Sequence, residues 1–500
     1  MNRTTWRSFP NRRHTRRGFA VVVVLTIIAV SLAVCYAVMR TQSTMVHVQH
    51  NSSARMDARQ AAMAGLAIGL RRMHESSWGG VATALSDDLG SRTRYEVTYS
   101  IGDPYLLPAD ADYDELPLRV TVTSRGFART SGASSHETMH QSRAVVRLIP
   151  RMLASEPAPW SDMNQYTIYQ TDDEETWLNA PVRLEGPLRF RERVRLGEAY
   201  AWSSTHRQRF FSDLEAMRNA GYPDYRPFNG PITLPYIEQD SSSFPLIQNS
   251  MQIATIDGSV QEVPAWSFPA LASYRMFQGG PAYTIPTCPS TLEDTSLGPN
   301  PATNPLGIYY RSGDVRIEDD VVVEGTIAAL GKIDLVGPRI QIQPVSLPPL
   351  LNSSEPIQLP TLMTSGLLQV RTGARAAIQG LVITWSIFFV EADSQSLPFD
   401  LQGRLIFDDL EIHGRQQWYL SGGMWDLHWT TFDLYVSLGL ARYFPIYLKN
   451  NGLDYIPRVT IRPPAEPVRF HWQYDGQPVY VPHPDDPGLL WEIVRWEDGV

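Results

Sequence analysis

The chain has 500 residues, a formal net charge of −9, and 43% hydrophobic and 10% aromatic residues. That is a globular composition on a chain too long for one ordinary core, so two or three domains are expected. The first 56 residues hold eight Arg and no acid, which leaves −17 on residues 57–500. An acidic body argues against nucleic acid as a partner, because phosphate binding needs a basic face.

Residues 1–18 form a basic leader carrying Arg3, Arg7, Arg12, Arg13, Arg16 and Arg17. Phe19 to Met39 follows as 21 residues without a charge, closed by Arg40. At about 1.5 Å per residue this run spans a hydrocarbon layer roughly 30 Å thick. The Arg excess before it places the N-terminus in the cytoplasm and the bulk of the chain outside. The expected location is therefore the cytoplasmic (inner) membrane, crossed once, with the membrane itself as a partner. Four readings of this N-terminus compete. They are a cleaved secretory signal near Cys35-Tyr36-Ala37, a twin-arginine signal at Arg16-Arg17, a lipoprotein site at Cys35, and a prepilin-like leader ending at Gly18-Phe19.

Residues 40–77 lack Pro and continue the helical pattern, with Ala62, Leu66, Leu70 and Met73 on one face. Small residues fill Ala58 to Leu70, and Gly65 and Gly69 lie four apart, a spacing suited to close packing on a sheet. A helix running straight on from the apolar span is what a pilin needs and an exported soluble enzyme does not.

The basic leader, Gly18-Phe19, the uncharged span and Gln60-Ala-Ala-Met-Ala-Gly-Leu66 resemble the type IV pilin and pseudopilin superfamily, specifically its minor, PilX-like members. The likeness covers about residues 10–150. It implies cleavage after Gly18 and N-methylation of Phe19 by a prepilin peptidase, packing of the helix among other pilin-like subunits, and no catalysis. Most pilins carry Glu at the fifth residue after the cut. Val23 stands there in this chain, which points to an accessory or tip subunit.

After Trp78-Gly79-Gly80 the period changes from 3.6 to 2. Tyr95, Val97 and Tyr99, then Leu118, Val120 and Val122, then Ala144, Val146 and Leu148 alternate with polar residues and predict an antiparallel meander over 78–155. Two motifs fall in it. His136-Glu137-Thr-Met-His140 matches the H-E-x-x-H zinc pattern, but zinc needs both His on one helical face, and an alternating strand follows. Asp110, Asp112 and Asp114 are spaced carboxylates of the sort that gather Ca²⁺, without the Gly and Glu of an EF-hand loop. Neither is taken as a metal site, and no cofactor is expected.

Residues 156–305 read as mixed β with one short helix at 206–219. Residues 306–420 carry a weak repeat: Leu184-Glu-Gly-Pro-Leu188 before the region, then Val323-Glu-Gly-Thr-Ile327, Ile378-Gln-Gly-Leu-Val382 and Leu401-Gln-Gly-Arg-Leu405. Short strands turning at Gly predict solenoid-like coils, but the spacings of 139, 55 and 23 residues are irregular, and a β-sandwich is the alternative. Residues 421–500 are aromatic-rich, with Trp425, Trp429, Trp472, Trp491 and Trp496 expected to fill a β core. The expected fold is α+β: a long membrane-anchored helix packed on an antiparallel sheet, then a mostly-β region. The functional alternatives are a membrane-anchored surface enzyme or carbohydrate-binding protein, most specifically a zinc hydrolase, and a plain membrane-anchored structural protein.

Overall fold

The computed structural model describes residues 16–129, 136–156, 160–174, 176–178, 182–192, 194–196, 228–229, 232–233, 237–238, 268, 271–371, 373–393, 399–415, 418–420, 423–425, 446–448, 459–473, 475–486 and 488–499. The helix expected at 206–219 lies outside them. The fold is α+β, with one long apolar helix and many β-strands in several sheets.

The helix α1 runs unbroken over Arg16–Met73. No Gly or Pro interrupts residues 19–64, and Arg71 and Arg72 in the last turn complement the negative end of its dipole. Its two parts differ sharply. Every residue from Phe19 to Ser53 is exposed. From Ala54 onward one face is buried, through Ala58, Ala61, Ala62, Leu66 and Met73. That face lies on an antiparallel sheet of β1 (Ala84–Asp88), β2 (Thr93–Ile101), β3 (Arg119–Arg129) and β4 (Glu137–Ile149), in that order.

Small residues on both sides set how close the helix comes. A Cβ on Gly126 of β3 would collide with the backbone of Ala58 and Ala62, so at this point helix backbone rests directly on strand backbone. Gly65 and Gly69 do the same from the helix side: a Cβ on either would come within 2.8 Å of Tyr95 or 2.7 Å of Val97. The Tyr99 hydroxyl then donates to the Gly69 carbonyl at 3.1 Å.

A fifth strand completes this sheet from the far end of the chain. Leu490–Asp498 pairs antiparallel with β4, from Leu490 opposite Ile149 to Asp498 opposite Ser142. The composition-based region 421–500 is therefore spread over several places: Val459–Arg462 joins the second body, Pro478–Val481 a bridging sheet, and Leu490–Asp498 the first sheet. Aromatic content does not separate them, because Trp472 packs on Trp160 and Trp385 while Trp491 packs on Trp78 and Phe277.

The second body is built of parallel ladders. One sheet runs, in spatial order, through residues 237–238, 194–196, 176–178, 409–415, 387–393, 368–370, 333–335, 315–317 and 291–292. Another runs through 228–229, 182–185, 459–462, 399–407, 376–384, 340–343, 321–324 and 296–297, with a branch through 326–329, 360–364 and 168–170. Among the described residues every pairing in these two sheets is parallel, unlike the antiparallel ladders of a sandwich. Strands Ala376–Thr384 and Phe399–Phe407 bend and serve two faces. Inward residues form one apolar core, including Val315, Ile333, Ile342, Val382, Leu401 and Ile461.

The sequence repeat marks one corner of this body. Its glycines fall where the chain turns from the long row of the second sheet into its branch: Gly186, Gly325 and Gly380 have φ of 88°, 140° and 97°. Gly403 pairs with Gly380 in the ladder, and a Cβ on it would strike the Gly380 carbonyl. The 139-residue spacing arises because Val182–Glu185 is stacked out of chain order, and the 55-residue spacing because the rung Ile340–Gln343 between the two repeats carries Pro344 where they carry Gly. The early strands 168–170, 176–178, 182–185 and 194–196 stand at one end of the stack and 291–292 at the other, and from there the strands follow in chain order until 405–412 and 459–461 pair with 168–184.

A second apolar core joins the two bodies. It runs from Leu66 and Met73 of α1, past Trp491, Phe277 and Tyr274, to Trp472, Ile383 and Ile406 of the second body. Trp472 stacks edge-on with Trp160 and Trp385, and Trp491 with Trp78 and Phe277. Trp496 is exposed, and Trp429 lies outside the described residues.

Candidate functional site

The feature with the plainest functional content is the exposed part of α1. Phe19 is 74% exposed, and Val21 to Val48 offer a further row of exposed apolar side chains, Val23 among them. This segment has a mean hydropathy of 2.8 over its best 18 residues and none of that window is buried. It is long and apolar enough to cross a membrane, by length and composition. Gly18 lies inside the helix, directly before Phe19.

Ala62, Gly65, Leu66 and Gly69, expected with Val23 in a filament-core helix, lie on the part of α1 that packs on the sheet. Ala62 and Leu66 are fully buried, and Gly65 and Gly69 meet β2 and β3. Sequence reasoning missed their counterpart, Gly126. The available signal was a lone Gly inside an otherwise alternating strand, which marks close approach of another backbone.

His136, Glu137 and His140 do not form a zinc constellation. Glu137 opens β4, so His136 and His140 sit four residues apart along extended chain, roughly 13 Å. Glu137 meets Arg94 at 3.4 Å and Arg129 at 3.5 Å, and His140 Nε2 lies 2.7 Å from Asp498. The helix that zinc chemistry requires is replaced by a strand because alternating residues to Ile149 bury one side on α1. Among the described residues no group of three or more His, Cys, Asp or Glu is placed to hold a metal ion.

Asp110, Asp112 and Asp114 lie in and beside a short 3₁₀ turn, Tyr113–Leu118. Two of them are directed elsewhere than a common cation. Asp110 accepts from the Leu107 amide at 2.7 Å, and Asp112 meets Arg119 at 3.1 Å. Arg119, nearly buried, also holds Glu115 at 2.6 Å and Asp103 at 3.6 Å. Burial opposes its charge, but the bonds to Glu115 and Asp112 outweigh that and raise its pKa. Asp103, equally buried, is shared with Arg495 of the fifth strand. The network is thus a cross-link among the turn, β3 and Leu490–Asp498.

Asp498 forms a second cross-link. It accepts from Ser142 at 3.1 Å, meets His140 at 2.7 Å and Arg59 of α1 at 2.5 Å. These partners, His140 foremost, hold its carboxyl below the usual carboxylate range. Elsewhere burial pushes the Tyr99 hydroxyl up to about 12 and the Cys288 thiol up to about 11. Cys288 is buried and Cys35 exposed on α1, and neither is in a disulfide.

The chain matches no family model, curated protein or solved structure.

Proposed function

We propose that this chain is a non-enzymatic minor pilin-like or pseudopilin-like subunit, of the PilX-like kind, of a type IV pilus or type II secretion assembly. The observation that carries the reading is the division of α1. One continuous helix is exposed from Phe19 to Ser53, uncharged and largely apolar from Phe19 to Met39, and seated on an antiparallel sheet from Ala54 onward. An exposed apolar helix of this length needs either lipid or other helices around it. A subunit that moves from membrane to filament uses both in turn.

In this reading residues 1–18 are a cytoplasmic leader, a prepilin peptidase cuts after Gly18, and the amine of Phe19 is methylated. The protein sits once across the cytoplasmic (inner) membrane with its bulk outside. Val23, in the place of the usual Glu, fits an accessory or tip position. The stacked parallel ladders are the coils of a β-solenoid displayed by that subunit. Their short strands, glycine corner and single enclosed apolar core support this.

Mass spectrometry of the mature N-terminus tests the reading. Methyl-Phe19 is expected. A start near Val38 or at lipidated Cys35 overturns it, and an intact N-terminus leaves a plain membrane-anchored protein.

A further inference from the structure

The strand Leu490–Asp498 reaches α1 at both ends of its seated part. At one end Asp498 meets Arg59 at 2.5 Å. At the other, the chain entering the strand crosses the end of the helix so closely that a Cβ on Gly488 would overlap the His74 carbonyl. Between them, Trp491 packs edge-on against Trp78, just past the helix, and against Phe277. The rest of the sheet depends on the strand as well. Without it the outer edge of β4 is an open row of backbone donors and acceptors. Asp103 would keep the Tyr105 amide at 3.0 Å and Arg119 at 3.6 Å but lose Arg495, and taking one partner from a buried ion-pair network is destabilising.

We propose that Leu490–Asp498 is a clasp that holds α1 on its sheet, so that the seated helix forms only after the inserted residues 150–489 have folded back. The chain order makes this a switch. β4 ends at Ile149, and the strand that covers its edge follows the whole second body. A partly folded chain therefore presents β1–β4 with an uncovered edge and an unclasped α1. A complete chain presents a helix fixed at Arg59 and at His74. The same strand carries the apolar bridge to the second body through Trp491. The inference concerns seating alone and stands whether or not Phe19 is methylated.

The test is hydrogen exchange on the full chain, comparing the native sequence with Gly488→Val, which blocks the crossing at the helix end. The expected result is loss of protection, about tenfold or more, at residues 54–73 and along β4, with protection kept in 315–335 and 376–407 of the second body. A synthetic peptide of residues 489–499 added to the variant is expected to restore protection at 54–73, which separates an opened clasp from a misfolded chain. Undiminished protection at 54–73 in the variant overturns the proposal. So does a loss spread equally over both bodies that the peptide does not reverse.

Discussion

The two β bodies solve the same problem in opposite ways. The first buries one face of an antiparallel sheet under a helix, and its specificity lies in side-chain size: glycine and alanine where backbones touch, Tyr95, Val97 and Val122 around them. The second buries the inside of a stack of parallel ladders, and its specificity lies at a corner where Gly380 sits on Gly403. In the first body any residue of the right size and face will serve away from the contact line. In the second, inward positions take Val, Ile, Leu or Phe almost freely, but at the corner a Cβ on Gly403 would strike the Gly380 carbonyl, and the neighbouring rungs carry Pro344 and Pro463 there. The two bodies also differ in how they are completed. The stack takes 168–170 as a rung beside 405–407 and runs on between ends at 237–238 and 291–292, whereas the sheet takes a strand from beyond the stack.

The sharpest way to break the comparison is to remove what the bodies share. Trp491 is 6% exposed and lies in the core common to both. Trp491→Ala should cost about 4 kcal/mol, as large-to-small changes of buried aromatics do. Opening should appear in hydrogen exchange on both sides of the junction. Trp496→Ala, at 42% exposure, is the control and should cost well under half as much in the same measurement.

Gly126→Val should come next, at about 3 kcal/mol, because no rotamer can move a Cβ away from the Ala58 and Ala62 backbone. Its effect should be confined to the first body: faster exchange at 54–73 and β3, with 376–407 unchanged. Gly403→Val should reverse that pattern at about 2 kcal/mol, loosening 376–384 and 399–407 while α1 stays protected. If either substitution opens both bodies equally, the division between them is wrong.

Much of the first body was legible because its code is local. The 3.6-residue spacing of Ala62, Leu66 and Met73 and the alternation of Tyr95, Val97 and Tyr99 each report a buried face directly. Strand β1 was not legible, since Ala-Leu-Ser-Asp-Asp is a polar edge with only Leu85 half-buried. The fifth strand was hidden by a bulge between Ile493 and Arg495, which breaks its alternation, and by its distance along the chain. In the second body the corner glycines were visible as a repeat. Their order in space was not, because 184 follows 461 in the stack and nothing local encodes that neighbour. The H-E-x-x-H match shows the reverse error that motifs invite. The pattern is present, but the alternation from Arg143 to Leu148 carries β4 back through it.

The smallest expected effect sharpens the contrast through pH. Asp498 is the one carboxylate among the described residues bound at once to α1, β4 and its own strand, through Arg59, His140 and Ser142. Its folded pKa is lowered, so it contributes stability that is fully present above the ordinary carboxylate range and is lost as pH falls through its folded value. Acidification from about pH 5 should therefore release α1 at residues 54–73 earlier than the second body, whose enclosed core is apolar. Asp498→Asn keeps the shape and removes the titration. In that variant the gap between the two bodies' acid transitions should narrow, read by hydrogen exchange across a pH series. An unchanged gap would show that the Asp498 carboxylate does not set the acid sensitivity of the helix seat.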